Sequence, residues 1–76
     1  MRVFVKRFEI DRREAHVDAD ATVADLGNEV RKLWQVPPTH QVHVINGDMV
    51  MNPSDKLSFY GIRDGSILNV DFTSFN

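Results

Sequence analysis

Over residues 1–6, one set of alternate positions is entirely apolar, and the positions between them are Arg2, Phe4 and Lys6. The apolar members of this pattern are Met1, Val3 and Val5. Because successive side chains of a strand point to opposite faces, the pattern predicts a first strand over residues 1–7. A polar stretch over residues 9–12 then predicts a turn, and a second strand follows at about residues 13–18. The positions of this second strand that we expect toward the core are Arg13, Ala15 and Val17.

The middle of the chain carries one clear helical pattern. Thr22 is a good N-cap, and Asp25 follows at the spacing of a capping box with a shorter side chain. The apolar residues that recur at helical spacing are Val23, Leu26, Val30 and either Leu33 or Trp34. Gly27 interrupts this helix at a cost of about 1 kcal/mol relative to alanine. Pro37 and Pro38 end it, because proline cannot continue the hydrogen-bond ladder.

Shorter elements follow the helix. A third strand is predicted over residues 41–45 and a short fourth strand over residues 49–51. Asn46 and Gly47 predict the turn between them, since both residue types tolerate positive φ. Residues 57–61 predict a short helical turn.

The last predicted strand covers residues 66–72. One of its faces carries Leu68, Val70 and Phe72, and the other carries Asn69 and Asp71. We expect the first and last strands to pair in parallel at the centre of the sheet. One helix crossing a mixed sheet is an α+β fold, and residues 1–76 are expected to form a single domain.

Composition narrows the class of protein. Hydrophobic residues make up 42% of the sequence, too many for a disordered tail. We find neither an apolar run near the roughly 20 residues of a membrane helix nor a secretory signal. We therefore expect a cytoplasmic or nuclear protein without a membrane partner. The net charge of −2 argues against a nucleic-acid partner.

Residues suited to catalysis or metal binding are scarce. The chain has no cysteine, and its histidines are His16, His40 and His43. The serines lack a nucleophile motif, and the four glycines are isolated, so there is no phosphate-binding loop. We expect no catalytic residues, no metal, no cofactor and no small-molecule substrate.

Several short motifs resemble ubiquitin in their order and spacing. They are the opening MRVFVK, Thr22-Val23, Val36-Pro37-Pro38, Gln41 and Gly47, and then, after one extra residue, Leu57-Ser58, Tyr60, Ile62, Ser66 and Leu68. The resemblance covers nearly the whole chain. It implies a β-grasp fold, with two strands, a helix, two strands, a short helical turn and a final strand.

Departures from ubiquitin bear on function. Ubiquitin-type modifiers end in a diglycine that is joined to a target lysine, whereas this sequence ends in Thr73, Ser74, Phe75 and Asn76. Lys6 remains, but most of the family's chain-linking lysines are replaced. The resemblance therefore implies a ubiquitin-like domain built into a longer protein and not a conjugated tag.

A partner-binding patch on the outer face of the sheet is also implied by the resemblance. The candidate residues are Phe4, Phe8, Val42, Val44, Gly47, Asn69 and Asp71. Asn69 stands where the family has a histidine and Asp71 where it has a valine, and the carboxylate of Asp71 is costly to desolvate.

The strand pattern independently places four of these residues outward, namely Phe4, Phe8, Val42 and Val44. Such a group can form a binding patch or be scattered surface apolar residues. A slip of the third strand by one residue stays open. It would turn Val42 and Val44 inward and His43 outward.

Our leading hypothesis is a monomeric, non-enzymatic adaptor domain that recruits a protein partner. By resemblance, the partner classes are the proteasome, ubiquitin-binding helices, and ligase or chaperone complexes. One alternative is a structural subunit or an autoinhibitory docking domain of a larger complex. A conjugated modifier or sulfur carrier requires a diglycine downstream.

Overall fold

Five strands form one mixed sheet in the computed structural model, which describes residues 1–75. They are β1 (Arg2–Arg7), β2 (Asp11–His16), β3 (His40–Asn46), β4 (Met49–Val50) and β5 (Ile67–Ser74). Their order across the sheet is β2-β1-β5-β3-β4. β1 and β5 pair in parallel at the centre, as predicted, and every other neighbouring pair is antiparallel.

One α-helix, α1 (Val23–Trp34), packs on one face of this sheet. Its capping box is complete: Thr22 Oγ1 accepts from the Asp25 N–H at 3.2 Å, and Asp25 Oδ2 accepts from the Thr22 N–H at 2.9 Å. Gln35 ends the helix in the left-handed conformation, ahead of the two prolines. The α+β class is confirmed.

The core lies between α1 and the facing side of the sheet. Its largest fully buried side chains are Leu26, Leu57, Leu68, Val3, Val5 and Val30. Burying one such side chain stabilises the fold by roughly 1.5–3 kcal/mol. We call the sheet side toward α1 the inner face and the opposite side the outer face.

Several predicted strand boundaries are wrong by one or two residues. β2 begins at Asp11, because the turn is confined to residues 8–10. Asn46 is still in β3, where it pairs with Met49, so the turn consists of Gly47 and Asp48. Gly47 has φ 66°, a conformation that glycine adopts without strain.

The predicted short helical turn is a 3₁₀ helix, Leu57–Tyr60. It buries Leu57, and its last residue ties the preceding loop together. Tyr60 Oη accepts from the Asn52 N–H at 2.9 Å and donates to Asp55 Oδ2 at 2.7 Å. The Asn52 bond alone lowers the pKa of Tyr60, but the bond to Asp55, burial and the Asp55 charge together raise it above 10.0.

Candidate functional site

The pairing of β3 with β5 decides which residues reach the outer face. Val44 lies opposite Val70, and Val42 lies opposite Phe72. Val70 is buried in the core, and Val44 is only 3% exposed. The predicted outward placement of Val42 and Val44 is therefore wrong, and the alternative register, one residue away, is the observed one.

The reason for this register is the burial of Val44 and the partial burial of Val42 against the core. It turns His43 outward, opposite Asp71. The opposite register would bury an imidazole among apolar side chains and leave two valines in water. Because a one-residue slip moves every side chain of a strand to the other face, the burial preference of Val42 and Val44 fixes the whole strand.

Apolar side chains do occupy the outer face, but most of them are not the predicted ones. Ile45 lies opposite Asn69 on one side and Val50 on the other, and Ile67 lies beside Phe4. Val50 is 59% and Ile67 51% exposed. Strict alternation from Val42 and Val44 would have identified Ile45, and alternation from Leu68 would have identified Ile67.

We define the outer patch as the outward apolar residues together with the polar residues among them. Its members are Phe4, Lys6, Ile45, Val50, Ile67 and Asn69. Cross-strand pairing makes it continuous, since Lys6, Asn69, Ile45 and Val50 follow one another across β1, β5, β3 and β4. Phe4 and Asn69 lie on this face as predicted.

Phe4 lies between two guanidinium groups. The carbon atom of the Arg2 guanidinium is 5.2 Å from the ring centroid, and that of Arg12 is 4.4 Å away. Glu14, opposite Phe4 on β2, forms an ion pair with Arg2 at 3.9 Å and contacts His16 at 2.8 Å. Cation–π contacts at exposed sites contribute about 0.5–1 kcal/mol each, so the two guanidinium groups stabilise the Phe4 ring and give it a cationic border.

The opposite border of the outer patch is polar. His43 Nε2 lies 2.7 Å from Thr73 Oγ1. Asp71 Oδ1 accepts from the Phe72 N–H at 2.9 Å. Asp71 is outward and exposed, as the sequence predicted. A partner that covers this end must leave the Asp71 carboxylate in water or supply a donor to it.

Phe8 lies at the turn between β1 and β2. Its φ is 61°, which is uncommon for a residue other than glycine. The side chain is 73% exposed, and the Arg7 guanidinium carbon lies 5.2 Å from its ring centroid. Ile10, in the same turn, was not among the candidates and is also exposed. Both side chains lie beyond the end of β1.

A second cluster surrounds Trp34 at the end of α1. Its Nε1–H donates to Asp11 Oδ2 at 2.8 Å, and its ring meets Phe72 edge-on at 5.8 Å. The Arg13 guanidinium lies 4.6 Å above the ring and donates to the Leu33 carbonyl. The hydrogen bond from Trp34 is the main reason that the pKa of Asp11 lies below 3.8; burial opposes it and Arg13 adds to it. This cluster fixes the end of the helix to β2.

The described residues contain no group of three or more metal-ligating side chains. None of the helices among residues 1–75 is long and apolar enough to span a membrane. No known protein-family model matches the chain, and no curated protein matches it.

Proposed function

We propose that this chain is a ubiquitin-like domain of the β-grasp type that binds a protein partner through the outer patch. The observation that carries the proposal is the apolar side chains on a face that no other described element covers. Val50 and Ile67 are more than half exposed, and Ile45 lies between Val50 and Asn69.

The fold supports the family part of the proposal. A helix follows the first hairpin, and the last strand returns to the centre to pair in parallel with the first. This order is compatible with a β-grasp. Together with the ubiquitin-like motifs along the chain, it favours a ubiquitin-like domain over another small α+β domain.

The observed register refines the correspondence with ubiquitin. In the family, the outward apolar residue of the third strand lies at the centre of the recognition patch. Ile45 takes this place here, because Val44 is buried. The extra residue relative to ubiquitin then falls before β3 and not after Gly47. Asn69, which lies directly opposite Ile45, keeps the place of the family's histidine.

The charges around the outer patch indicate the kind of partner. Arg2, Lys6 and Arg12 lie on the β1–β2 side, and Asp71 lies toward the far end of β5. A partner helix with an apolar stripe would place the stripe over Ile45 and Ile67. Acidic residues on one of its flanks would meet the basic side.

A titration of the isotopically labelled domain tests the proposal. The probes are a ubiquitin-binding helix and a proteasomal receptor domain, added separately and followed through backbone amide shifts. We expect the shifts to cluster on Ile45, Asn69 and Ile67. Substitution Ile45→Asp should weaken binding at least tenfold, because it puts a charge in the apolar centre of the contact.

The matched control is Phe59→Ala. Phe59 is an exposed apolar residue of the 3₁₀ helix, so its removal changes surface apolarity away from the outer patch. Equal losses of binding affinity in Ile45→Asp and Phe59→Ala would contradict the assignment of binding to the outer patch. If neither probe causes saturable shifts, the domain does not bind these ubiquitin receptors, and that part of the proposal is wrong.

A further inference from the structure

Gly27 has no structural explanation within the described chain. It lies in the middle of α1, where glycine is unfavourable. Its φ is not positive, and a Cβ built on it meets nothing within 4 Å. Neither backbone conformation nor internal packing therefore requires glycine here.

The glycine borders a groove between α1 and the β3–β4 side of the sheet. The groove has a volume of about 570 Å³. Its apolar part is formed by Gly27, Val42, Val44 and Met51. Its polar groups come from Asn28, Gln41 and Asn52. We call it the α1–β3 groove. It lies at the β3–β4 edge of the sheet, and Val50 is the one residue that it shares with the outer patch.

The charged side chain that lines the groove is a cation, Arg31. The chain has 11 acidic residues and a net charge of −2, yet the residues that line the groove include no aspartate or glutamate. Arg31 supplies a guanidinium, one N–H of which donates to the His40 carbonyl at 2.8 Å. An arginine has five such N–H donors, so it can also bind a carboxylate.

The edge of β3 along this groove is open. β4 pairs only with Ile45 and Asn46, and beyond it the Met51 N–H donates to the Val44 carbonyl at 3.0 Å. Backbone groups alternate in direction along a strand, so Val42 points its N–H and C=O to the same edge as Val44. No described strand pairs with Val42 on this edge.

We propose that the α1–β3 groove binds an extended, acidic segment of a protein partner as an added strand on β3. The backbone of the segment pairs with Val42, its apolar side chains contact the exposed part of Val42, and a carboxylate at one end pairs with Arg31. Gly27 leaves room for the segment to pass close to α1. Strand addition with side-chain pockets is a common mode of peptide recognition. The proposal is independent of the outer patch and of the ubiquitin-like assignment.

The test uses a synthetic peptide, Asp-Asp-Val-Thr-Val-Thr, acetylated and amidated, titrated into the labelled domain. We expect a saturable downfield shift of the Val42 amide, since it gains a hydrogen bond, with accompanying shifts at Gly27 and Arg31. The matched peptide Asn-Asn-Val-Thr-Val-Thr should bind about tenfold more weakly, because it lacks the carboxylates.

Variants separate this site from a general effect on the fold. Gly27→Ala should raise the urea midpoint of unfolding. The same variant should bind the aspartate peptide severalfold more weakly. Arg31→Gln should abolish the preference for the aspartate peptide over the asparagine peptide. Lys32→Ala removes a cation from the same helix outside the groove, and it should leave that preference intact.

Three results would overturn the proposal. One is the absence of a saturable shift at millimolar peptide. Another is a shift pattern on Ile45 and Ile67 in place of Val42. The third is a Gly27→Ala variant that is more stable and binds the peptide as well as the original chain does.

Discussion

Val44 and Ile45 are neighbours in the chain with opposite surroundings. Val44 is buried in the core opposite Val70, whereas Ile45 lies between Asn69 and Val50 on the outer face. Both are β-branched and suit a strand equally well, so local preference does not distinguish them. Only the register of β3 assigns one to the core and the other to the outer patch.

This difference predicts unequal losses of stability. Val44→Ala should lower the free energy of unfolding by about 2–3 kcal/mol, because it removes buried methyl groups and leaves a cavity. Ile45→Ala should lower it by less than about 1 kcal/mol. Urea unfolding of both variants measures this. A larger loss for Ile45→Ala would mean that β3 has the other register.

Asp11 gives a prediction for pH. Its pKa is lowered in the folded protein, first by the Trp34 Nε1–H and also by Arg13. A lowered pKa stabilises the fold above the ordinary value of 3.8, and this contribution disappears as the pH falls through the folded value. Trp34→Phe removes the donor and should move the Asp11 pKa up toward 3.8.

The carboxyl carbon shift of Asp11, followed through an acid titration in both proteins, measures this change. The part of the stability difference between them that comes from the hydrogen bond should vanish once Asp11 is protonated in both. An unchanged Asp11 pKa in the variant would show that Arg13 and Arg7 lower the Asp11 pKa without the tryptophan.

At the level of elements, α1 and the central strands follow from the sequence, and β3 does not. The capping residues, the helical spacing and the prolines together define α1, and alternation defines β1 and β5. In β3, apolar residues at 42, 44 and 45 satisfy two registers. The gapless match to ubiquitin favoured the wrong one, whereas burial of Val42 and Val44 favours the observed one.

The start of α1 offers a direct test of a local signal. Thr22→Ala removes the Oγ1 that accepts from the Asp25 N–H and should lower the free energy of unfolding by about 1 kcal/mol. Thr22→Ser keeps the acceptor and should retain most of that stability. If Thr22→Ser loses as much as Thr22→Ala, the threonine methyl group, not the cap, is what matters.

Considered as a whole, the molecule presents two different surfaces on the two sides of its sheet. The outer patch is apolar with a basic border around Phe4. The α1–β3 groove, next to the helix, has an open strand edge and an arginine. The sequence pointed to Phe4 and Asn69 on the first surface. Nothing in it located the groove, because the groove depends on the short length of β4 and on which way the backbone of β3 faces.

The central parallel pair also has a consequence for synthesis on the ribosome. Arg2 and Asp64, joined by a hydrogen bond beside this pair, are 62 residues apart in the chain, and β1 needs β5 as its neighbour. The hairpin and helix can form early, but the sheet stays split until β5 has left the exit tunnel. During that interval Val3 and Val5 lack core residues that they share a cluster with in the folded protein, among them Leu68 and Val70. Non-local pairing of this kind slows folding, so the nascent chain is exposed to chaperones and to aggregation until β5 has emerged from the tunnel.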